Sequence, residues 1–338
     1  MKKFAAFFAS IILSQCAALA LSSPKKSGWS FTAEPLFGVR LGQCKEIVWR
    51  ENSKTGERYK LSELVYDILP ALYVGVNLGA KCKRLEINFL SKFFLPSNCG
   101  GLKDSDWRND AVYSNGDSST KTDFSKHDLC LKALDSLPGY ELELQAACNF
   151  QPTSFLTLAP CFSTNAQYMH FFATNGIGWY GKEDPFKRKI APYDDANNRL
   201  VIDFDGKDVL DYAVYNIHLW AGLRAVFAPC SWARISLCSE LALFSVMIDY
   251  DRHISNAKQF VDTARSVFSA FRQTLAVEFK INKSVSICQK NLFLITAESD
   301  GKIYVKSRQD EEYMKVSKAK SGAQMTFVDL ELSIKFSW

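Results

Sequence analysis

The sequence predicts an all-β protein: a ten-stranded, antiparallel, up-and-down transmembrane β-barrel with long extracellular loops. Three observations lead to this prediction. Segments of roughly ten residues alternate between apolar and polar side chains along much of the chain. The chain ends in such a segment, and its last residue is the aromatic Trp338. Short and long connections alternate between the segments, as in barrels with brief periplasmic turns and extended external loops.

The first 20 residues predict a secretory signal peptide, and residues 21–338 then form a single barrel domain. Two lysines precede an apolar run, Phe4–Leu13, and Ala18–Ala20 supplies small residues at the expected cleavage site. An N-terminal anchor helix and a lipid attached to Cys16 are the alternatives for this segment. Beyond it, no apolar run approaches the ~20 residues of a membrane helix.

Composition narrows the class of protein further. The net charge of +5 is mild and the basic residues are dispersed, so no basic stripe suggests a nucleic-acid partner. Of ten cysteines, only Cys16 lies in the predicted signal peptide, and none of the others forms a C-x-x-C pair or a metal-finger spacing. An exported protein is permitted disulfides, but the odd number left after signal removal leaves at least one thiol free.

The alternating segments follow one another from the N-terminus to the C-terminus. They are Trp29–Gly42, Ser62–Asn77, Arg84–Phe93, Tyr140–Phe150, Asp211–Phe227, Ile235–Ser245, Val267–Ile281 and Phe327–Trp338. In the last segment, Val328, Leu330 and Leu332 share one face and Asp329 and Glu331 the other. No amphipathic helix of three turns competes with this period of two. We expect ten strands in all, and a soluble lipocalin-like barrel is the alternative.

The connections sort into two sets by length. The short turns are expected at Leu78–Lys83, Ser136–Gly139, Pro229–Ser231 and Asn282–Ser284. The long polar segments are Gln43–Lys60, Pro96–Lys121, Gln151–Asp208, Asp249–Ala264 and Ser299–Gly322, the third of which is expected to contain strand extensions as well as loop. Alternation of the two sets assigns every long segment to the external end of the barrel.

Two clusters of titratable residues fall in these long segments. Asp104 and Asp106 flank a serine, and Asp249, Asp251 and His253 follow one another at spacings of two. Extended residues two apart point the same way, so the clusters are expected to face each other across the barrel mouth. Solvated loop acids and a metal site with oxygen and nitrogen ligands are the alternative interpretations.

The segments carrying these clusters resemble the omptins, outer-membrane proteases built as ten-stranded barrels. The resemblance runs from Ser30 to Trp338. "KDSDW" at Lys103–Trp107 is similar to the family's Asp-x-Asp-Trp, and "DYDRH" at Asp249–His253 is similar to its Asp-x-Asp-x-His. "KEIVW" at Lys45–Trp49 and "KLSEL" at Lys60–Leu64 stand where the family has a similar loop and second strand.

The resemblance implies an aspartic-type endopeptidase with no cofactor and no metal. It implies a catalytic pair, Asp251 and His253, facing a second pair, Asp104 and Asp106, with a water between them as the nucleophile. His253 would act as the general base and Asp251 would hold its tautomer. The two neighbouring acids would share a proton, because like charges at close range do not both ionise readily.

The resemblance also implies substrates and partners. Glu46 and Asp249 match the family's acidic specificity positions, so peptide or protein substrates with basic residues are expected. The family's lipopolysaccharide-binding strand would align with Cys148, Phe150 and Pro152, none of which contacts phosphate, so no lipopolysaccharide motif is evident. We expect a monomer in the cell outer membrane with its active site facing outward. The alternative is a catalytically inactive barrel that serves as an adhesin or binds host proteins.

Overall fold

The computed structural model of the chain is built from β-strands. It describes residues 28–51, 56–107, 121–132, 138–184, 189–254, 257–307, 310, 312–317 and 319–338. The predicted signal peptide, residues 1–20, lies outside the described residues. In the part of the chain that is described, no helix is long and apolar enough to cross a membrane. Every cysteine after Cys16 is a free thiol. The prediction that at least one thiol is free is therefore confirmed.

The described residues contain 18 strands, of which 16 form one antiparallel sheet and two form a separate short pair. They are β1 (Trp29–Glu51), β2 (Arg58–Cys82), β3 (Leu85–Phe94), β4 (Ser97–Asp106), β5 (Asp123–Leu131), β6 (Gly139–Cys148), β7 (Leu156–Gly181), β8 (Glu183–Asp184), β9 (Lys189–Ile190), β10 (Arg199–Asp203), β11 (Asp208–Cys230), β12 (Ala233–His253), β13 (Lys258–Ser266), β14 (Ala270–Lys280), β15 (Val285–Thr296), β16 (Ser299–Lys306), β17 (Met314–Lys315) and β18 (Ala319–Ser337). The prediction of an all-β, antiparallel fold is confirmed.

The strands pair in a continuous order. β1 pairs with β2 and with β18, and antiparallel pairings then join β2 to β3, β3 to β6, β6 to β7, β7 to β11 and β11 to β12. The order continues from β12 to β14, from β14 to β15 and from β15 to β18. Outer strands extend these ladders: β4 and β5 lie between β2 and β7, and β13 and β16 lie between β12 and β18.

The polarity of the sheet is the reverse of that of a water-soluble β-protein. In β18, Leu330 and Leu332 are 41% and 58% exposed, whereas Asp329 and Glu331, which alternate with them, are buried. The same inversion holds along β11, where Ile217 is exposed. A sheet that presents apolar side chains outward and polar ones inward is typical of strands that contact lipid, and it disfavours the lipocalin-like alternative.

Buried charges on the inner face neutralise one another. Arg40 is fully buried, and its guanidinium donates from Nε to Asp329 Oδ1 at 2.7 Å and from Nη2 to Glu141 Oε2 at 2.7 Å. Lys92, also fully buried, donates to Asp329 Oδ2 at 2.9 Å. Buried ions are tolerated when they are paired and hydrogen bonded in this way. A cavity of about 480 Å³, with Glu331, Lys335 and other polar side chains on its wall, lies on the side of this cluster that faces the short turns.

A row of tyrosines bounds the apolar outer surface on one side. The rings of Tyr140 and Tyr168, of Tyr168 and Tyr215, and of Tyr215 and Tyr250 have centroids 5.5, 4.5 and 6.1 Å apart. Tyrosine is enriched where a membrane meets water, because its ring is apolar and its hydroxyl is polar. We call this row the tyrosine belt, and the strand ends beyond it, which include His253, the site end.

The predicted long connections are largely strand and not loop, which corrects the sequence interpretation. β1 runs to Glu51 through the segment expected to be loop, β4 lies inside Pro96–Lys121, and β7 occupies much of Gln151–Asp208. Beyond the tyrosine belt, strands such as β4 carry polar or small residues on both faces, so the apolar alternation that reveals a strand is lost although the backbone pairing continues.

One predicted short turn is also wrong. Ser136–Gly139 was expected to reverse the chain, but β5 and β6 run in the same direction along β7. Leu131 of β5 pairs with Phe171, and Gly139 of β6 pairs with Met169. The reversal before β7 instead lies at residues 149–155.

Candidate active site

The first acidic pair lies on β4 at the site end. Asp104 is placed opposite Leu64 of β2 and Ser125 of β5, and Asp106 is placed two residues further on, opposite Asp123 of β5. Burial raises the pKa of Asp104 well above its usual range, and the neighbouring charge of Asp106 raises it further. The same pKa is lowered by His253, so the imidazole lies within electrostatic range of this pair.

The second pair ends β12. The Nε2 atom of His253 lies 2.7 Å from Oδ2 of Asp251, and the His253 ring meets Phe260 edge to face at 5.4 Å. Burial lowers the pKa of His253, but the carboxylate of Asp251 and its hydrogen bond outweigh this effect. Together with the charges of Asp104 and Asp106 they raise that pKa to about 9. The two pairs therefore lie at the same end of the sheet, within electrostatic range of each other.

Below His253, three acidic side chains converge in what we call the acid cluster: Glu46 of β1, Asp249 of β12 and Asp262 of β13. Each contributes a carboxylate oxygen that lies within 4.8 Å of the other two. All three are buried, with 3% of Glu46 and 0% of the two aspartates exposed. Tyr212 donates its hydroxyl to Asp249 Oδ2 at 3.1 Å, and the backbone N–H of Asp262 donates to Asp249 Oδ1 at 3.2 Å.

The acid cluster retains protons when nothing cationic is bound. Burial, followed by the charges of Asp262 and Asp251, raises the pKa of Glu46 well above its usual range. Burial and the charge of Asp249 raise the pKa of Asp262 to about 9, while a hydrogen bond from Glu46 opposes that rise. A neutral Glu46 that donates to Asp262 accounts for both effects.

An aromatic stack lies between the acid cluster and the buried charges around Arg40 on the inner face of the sheet. The rings of Tyr66 and Tyr212 are stacked at 4.3 Å, and Phe171 stacks on Tyr66 at 5.9 Å. All three residues are fully buried, and the thiol of Cys44 is buried beside them. The stack forms an apolar layer next to the acid cluster.

Sequence reasoning missed three residues of this site. Asp262 lies in a segment expected to be loop, yet it is the direct cross-strand partner of Asp249. Asp123 is the cross-strand partner of Asp106, and Tyr212 reaches the cluster from β11. The β12–β13 register would have revealed Asp262, but the sequence pattern carries no signal for that register.

Two groups among the described residues have the composition and spacing to hold a metal ion, and neither contains a predicted catalytic residue. One is the acid cluster, and the other consists of Cys161, Cys238 and Glu240 on the inner face. Hard cations prefer oxygen ligands and soft ones prefer thiolates. The acid cluster therefore suits a hard cation, and the second cluster suits a soft one.

The residues compared with a lipopolysaccharide-binding strand lie at the end of the sheet that carries the β2–β3 turn. Cys148 ends β6, and Phe150 bridges to Leu158 in the turn that leads into β7. The backbone N–H of Asn149 donates to the carbonyl of Arg84 at the β2–β3 turn, at 2.8 Å. This is the end opposite to Asp104, so the sequence alignment there does not identify a lipid contact.

Comparisons with known proteins agree with this architecture. A family model described as "Omptin family" matches residues 29–338. Among solved structures, the outer membrane protease OmpT from Escherichia coli superposes with a TM-score of 0.77 at 13% identity, covering 94% of this chain and 99% of that one. OprG from Pseudomonas aeruginosa, an outer membrane protein, gives a TM-score of 0.39 at 6% identity over 93% of this chain and 97% of its own. A search of curated proteins found no relative. Because the family model spans nearly the whole chain after the predicted signal peptide, the chain belongs to the omptin family.

Proposed function

We propose that the protein is an outer-membrane endopeptidase that cuts peptide bonds next to basic residues. The observation that carries the proposal is the 2.7 Å contact between His253 and Asp251, with Asp104 and Asp106 close enough to perturb the same imidazole. The protein lies in the cell outer membrane, as predicted, and the site end, which faces the exterior in this proposal, receives the substrate.

The proposed scaffold is a closed, ten-stranded barrel. Its strands are β1, β2, β3, β6, β7, β11, β12, β14, β15 and β18, each of which pairs with a member of this set on both sides. Closure gives every backbone N–H and C=O group in the lipid a hydrogen-bond partner. At an open sheet edge, each group without a partner would cost several kcal/mol. The scaffold holds the catalytic pairs on paired strands, which fixes their geometry better than loops do.

In the proposed reaction a water lies between His253 and the Asp104–Asp106 pair. Neutral His253 takes a proton from this water as its oxygen attacks the peptide carbonyl carbon, and Asp251 stabilises the imidazolium that forms. A protonated carboxyl of the acidic pair donates to the carbonyl oxygen as it becomes negative. When the carbon–nitrogen bond breaks, the imidazolium returns the proton to the leaving amine. No covalent intermediate is needed.

Specificity is assigned to the acid cluster. A basic side chain of the substrate enters beside Glu46 and Asp249, where its charge replaces the protons that these buried acids otherwise hold. Electrostatic attraction into an acidic, water-poor cleft favours cations and repels acidic residues. In this proposal Asp249 of the cluster and the Asp251–His253 pair share β12, which sets the distance between the bound side chain and the cut bond.

The test uses the refolded protein and a quenched peptide that contains an Arg-Arg sequence, with and without outer-membrane lipid. Asp104→Ala, Asp106→Ala and His253→Ala should each lower the cleavage rate by roughly 10²- to 10⁴-fold. Asp300→Ala, which removes a carboxylate of β16 bonded to Arg58 and Lys320, serves as the control. Unchanged cleavage in all three variants would contradict the proposal, and loop-dependent binding of host proteins without cleavage would support an inactive barrel.

A further inference from the structure

Asp262 is the least satisfied group of the acid cluster. It is fully buried, and among the described residues neither of its carboxylate oxygens has a partner at good hydrogen-bond geometry; only the carboxyl of Glu46 and the hydroxyl of Ser321 lie close enough to lower its pKa by hydrogen bonding. Oε2 of Glu46 is likewise buried without a hydrogen-bond partner, whereas both oxygens of Asp249 accept hydrogen bonds. An ionised carboxylate that is buried without donors is strongly destabilised. The cluster is thus arranged for an occupant that brings positive charge and several N–H donors.

The number of carboxylates in the cluster, all within reach of one cationic group, favours one kind of cation. An ammonium group donates three hydrogen bonds in tetrahedral directions, and charged N–H···O bonds of roughly 2.7–2.9 Å place its acceptors roughly 4.4–4.7 Å apart. The oxygens of Glu46, Asp249 and Asp262 all lie within 4.8 Å of one another. A guanidinium is planar, and two carboxylates already satisfy it through paired bonds.

We propose that Asp262 completes a three-carboxylate receptor for the ammonium group of a substrate lysine. This inference rests on the proposed function and extends it. Glu46 and Asp249 bind either basic side chain, and Asp262 supplies the third acceptor that an ammonium needs and a guanidinium does not. The position of Asp262 directly opposite Asp249 across the β12–β13 ladder holds the third acceptor in place.

The test compares two quenched peptides that differ only in having lysine or arginine before the cut bond. Asp262→Asn keeps the size of the side chain and removes its charge. It should lower kcat/KM at least tenfold for the lysine peptide, chiefly through KM, and at most about threefold for the arginine peptide. Asp300→Asn, the matched control, should change neither value. An equal loss for both peptides, or no loss for either, would overturn the inference.

A second measurement separates this inference from the proposed function, because it requires no cleavage. In the His253→Ala variant, n-butylammonium should raise the thermal midpoint, and the additional Asp262→Asn change should abolish that rise. If no peptide is cut but this dependence holds, the receptor stands and the peptidase proposal fails. If peptides are cut and n-butylammonium has no effect that depends on Asp262, the inference alone fails. Stabilisation by Ca²⁺ in place of n-butylammonium would overturn it in favour of a metal site.

Discussion

Replacement of Asp251 by asparagine should lower the pKa of His253 by roughly two units. The pKa of His253 is raised to about 9 although burial opposes the charged ring, and Asp251 is the first of the groups that raise it. The difference between 9 and the ordinary 6.5 corresponds to about 3 kcal/mol of preference for the imidazolium, since each pH unit is worth about 1.4 kcal/mol. The largest contribution in that direction comes from Asp251, whose carboxylate oxygen lies 2.7 Å from the ring.

The assay is an NMR titration of the histidine rings, which is tractable because the chain has only four histidines. His253 should titrate near pH 9 in the wild-type protein and near neutrality in Asp251→Asn. The acidic limb of the kcat/KM profile should move down in pH by the same amount, while the maximum rate falls because the ring loses its orienting partner. Asp211→Asn, which removes a carboxylate 2.6 Å from Nε2 of His170, should leave His253 unchanged.

The same pKa has a consequence for stability, with a definite sign. A histidine whose pKa is raised on folding stabilises the folded protein fully below pH 6.5, and this contribution is lost as the pH rises through 9. The wild-type protein should therefore lose about 3 kcal/mol of unfolding free energy over that interval relative to Asp251→Asn. Titration of wild-type His253 near 6.5, or a pKa that does not respond to Asp251→Asn, would refute this account of the site.

Three further predictions concern other parts of the molecule. Arg40→Ala removes the guanidinium bonded to buried Glu141 and one of the two cations bonded to buried Asp329, so it should lower the free energy of unfolding in denaturant by about 3–5 kcal/mol. Arg58→Ala, at a pair whose arginine side chain is 41% exposed, should cost less than about 1 kcal/mol. Gly100→Ala would place a Cβ 1.9 Å from a backbone oxygen at a φ of +131°, so it should impair folding, while Gly56→Ala, at a φ of +73° with nothing within 4 Å, should be tolerated, as judged by yield of folded protein. Tyr212→Phe removes a donor to the acid cluster and should raise KM for basic peptides by roughly threefold to tenfold in the peptide assay.

The family and the outer-membrane location were predictable from sequence because the Asp-x-Asp-Trp and Asp-x-Asp-x-His motifs and the strands with an apolar outer face leave strong patterns. In β18 one face contacts lipid and the other faces charged groups, so its side chains alternate without exception from Val328 to Trp338. The i, i+2 spacing likewise predicts that Asp104 and Asp106 belong together, as do Asp251 and His253.

The remainder of the site was not predictable because it depends on pairing between strands. β4 lies beyond the apolar band, where polar residues on both faces make a paired strand look like a loop. Asp262 joins the acid cluster only through its register with Asp249, and a shift of one residue would have turned its side chain to the other face.

The aromatic stack of Tyr66, Tyr212 and Phe171 has a consequence for cell physiology. Together with the charged side chains around Arg40, it obstructs the path from the acid cluster to the cavity near the short turns. Under the proposed function, fragments released beside the acid cluster would return to the surrounding medium, and a cell that feeds on them would have to import them through a different protein.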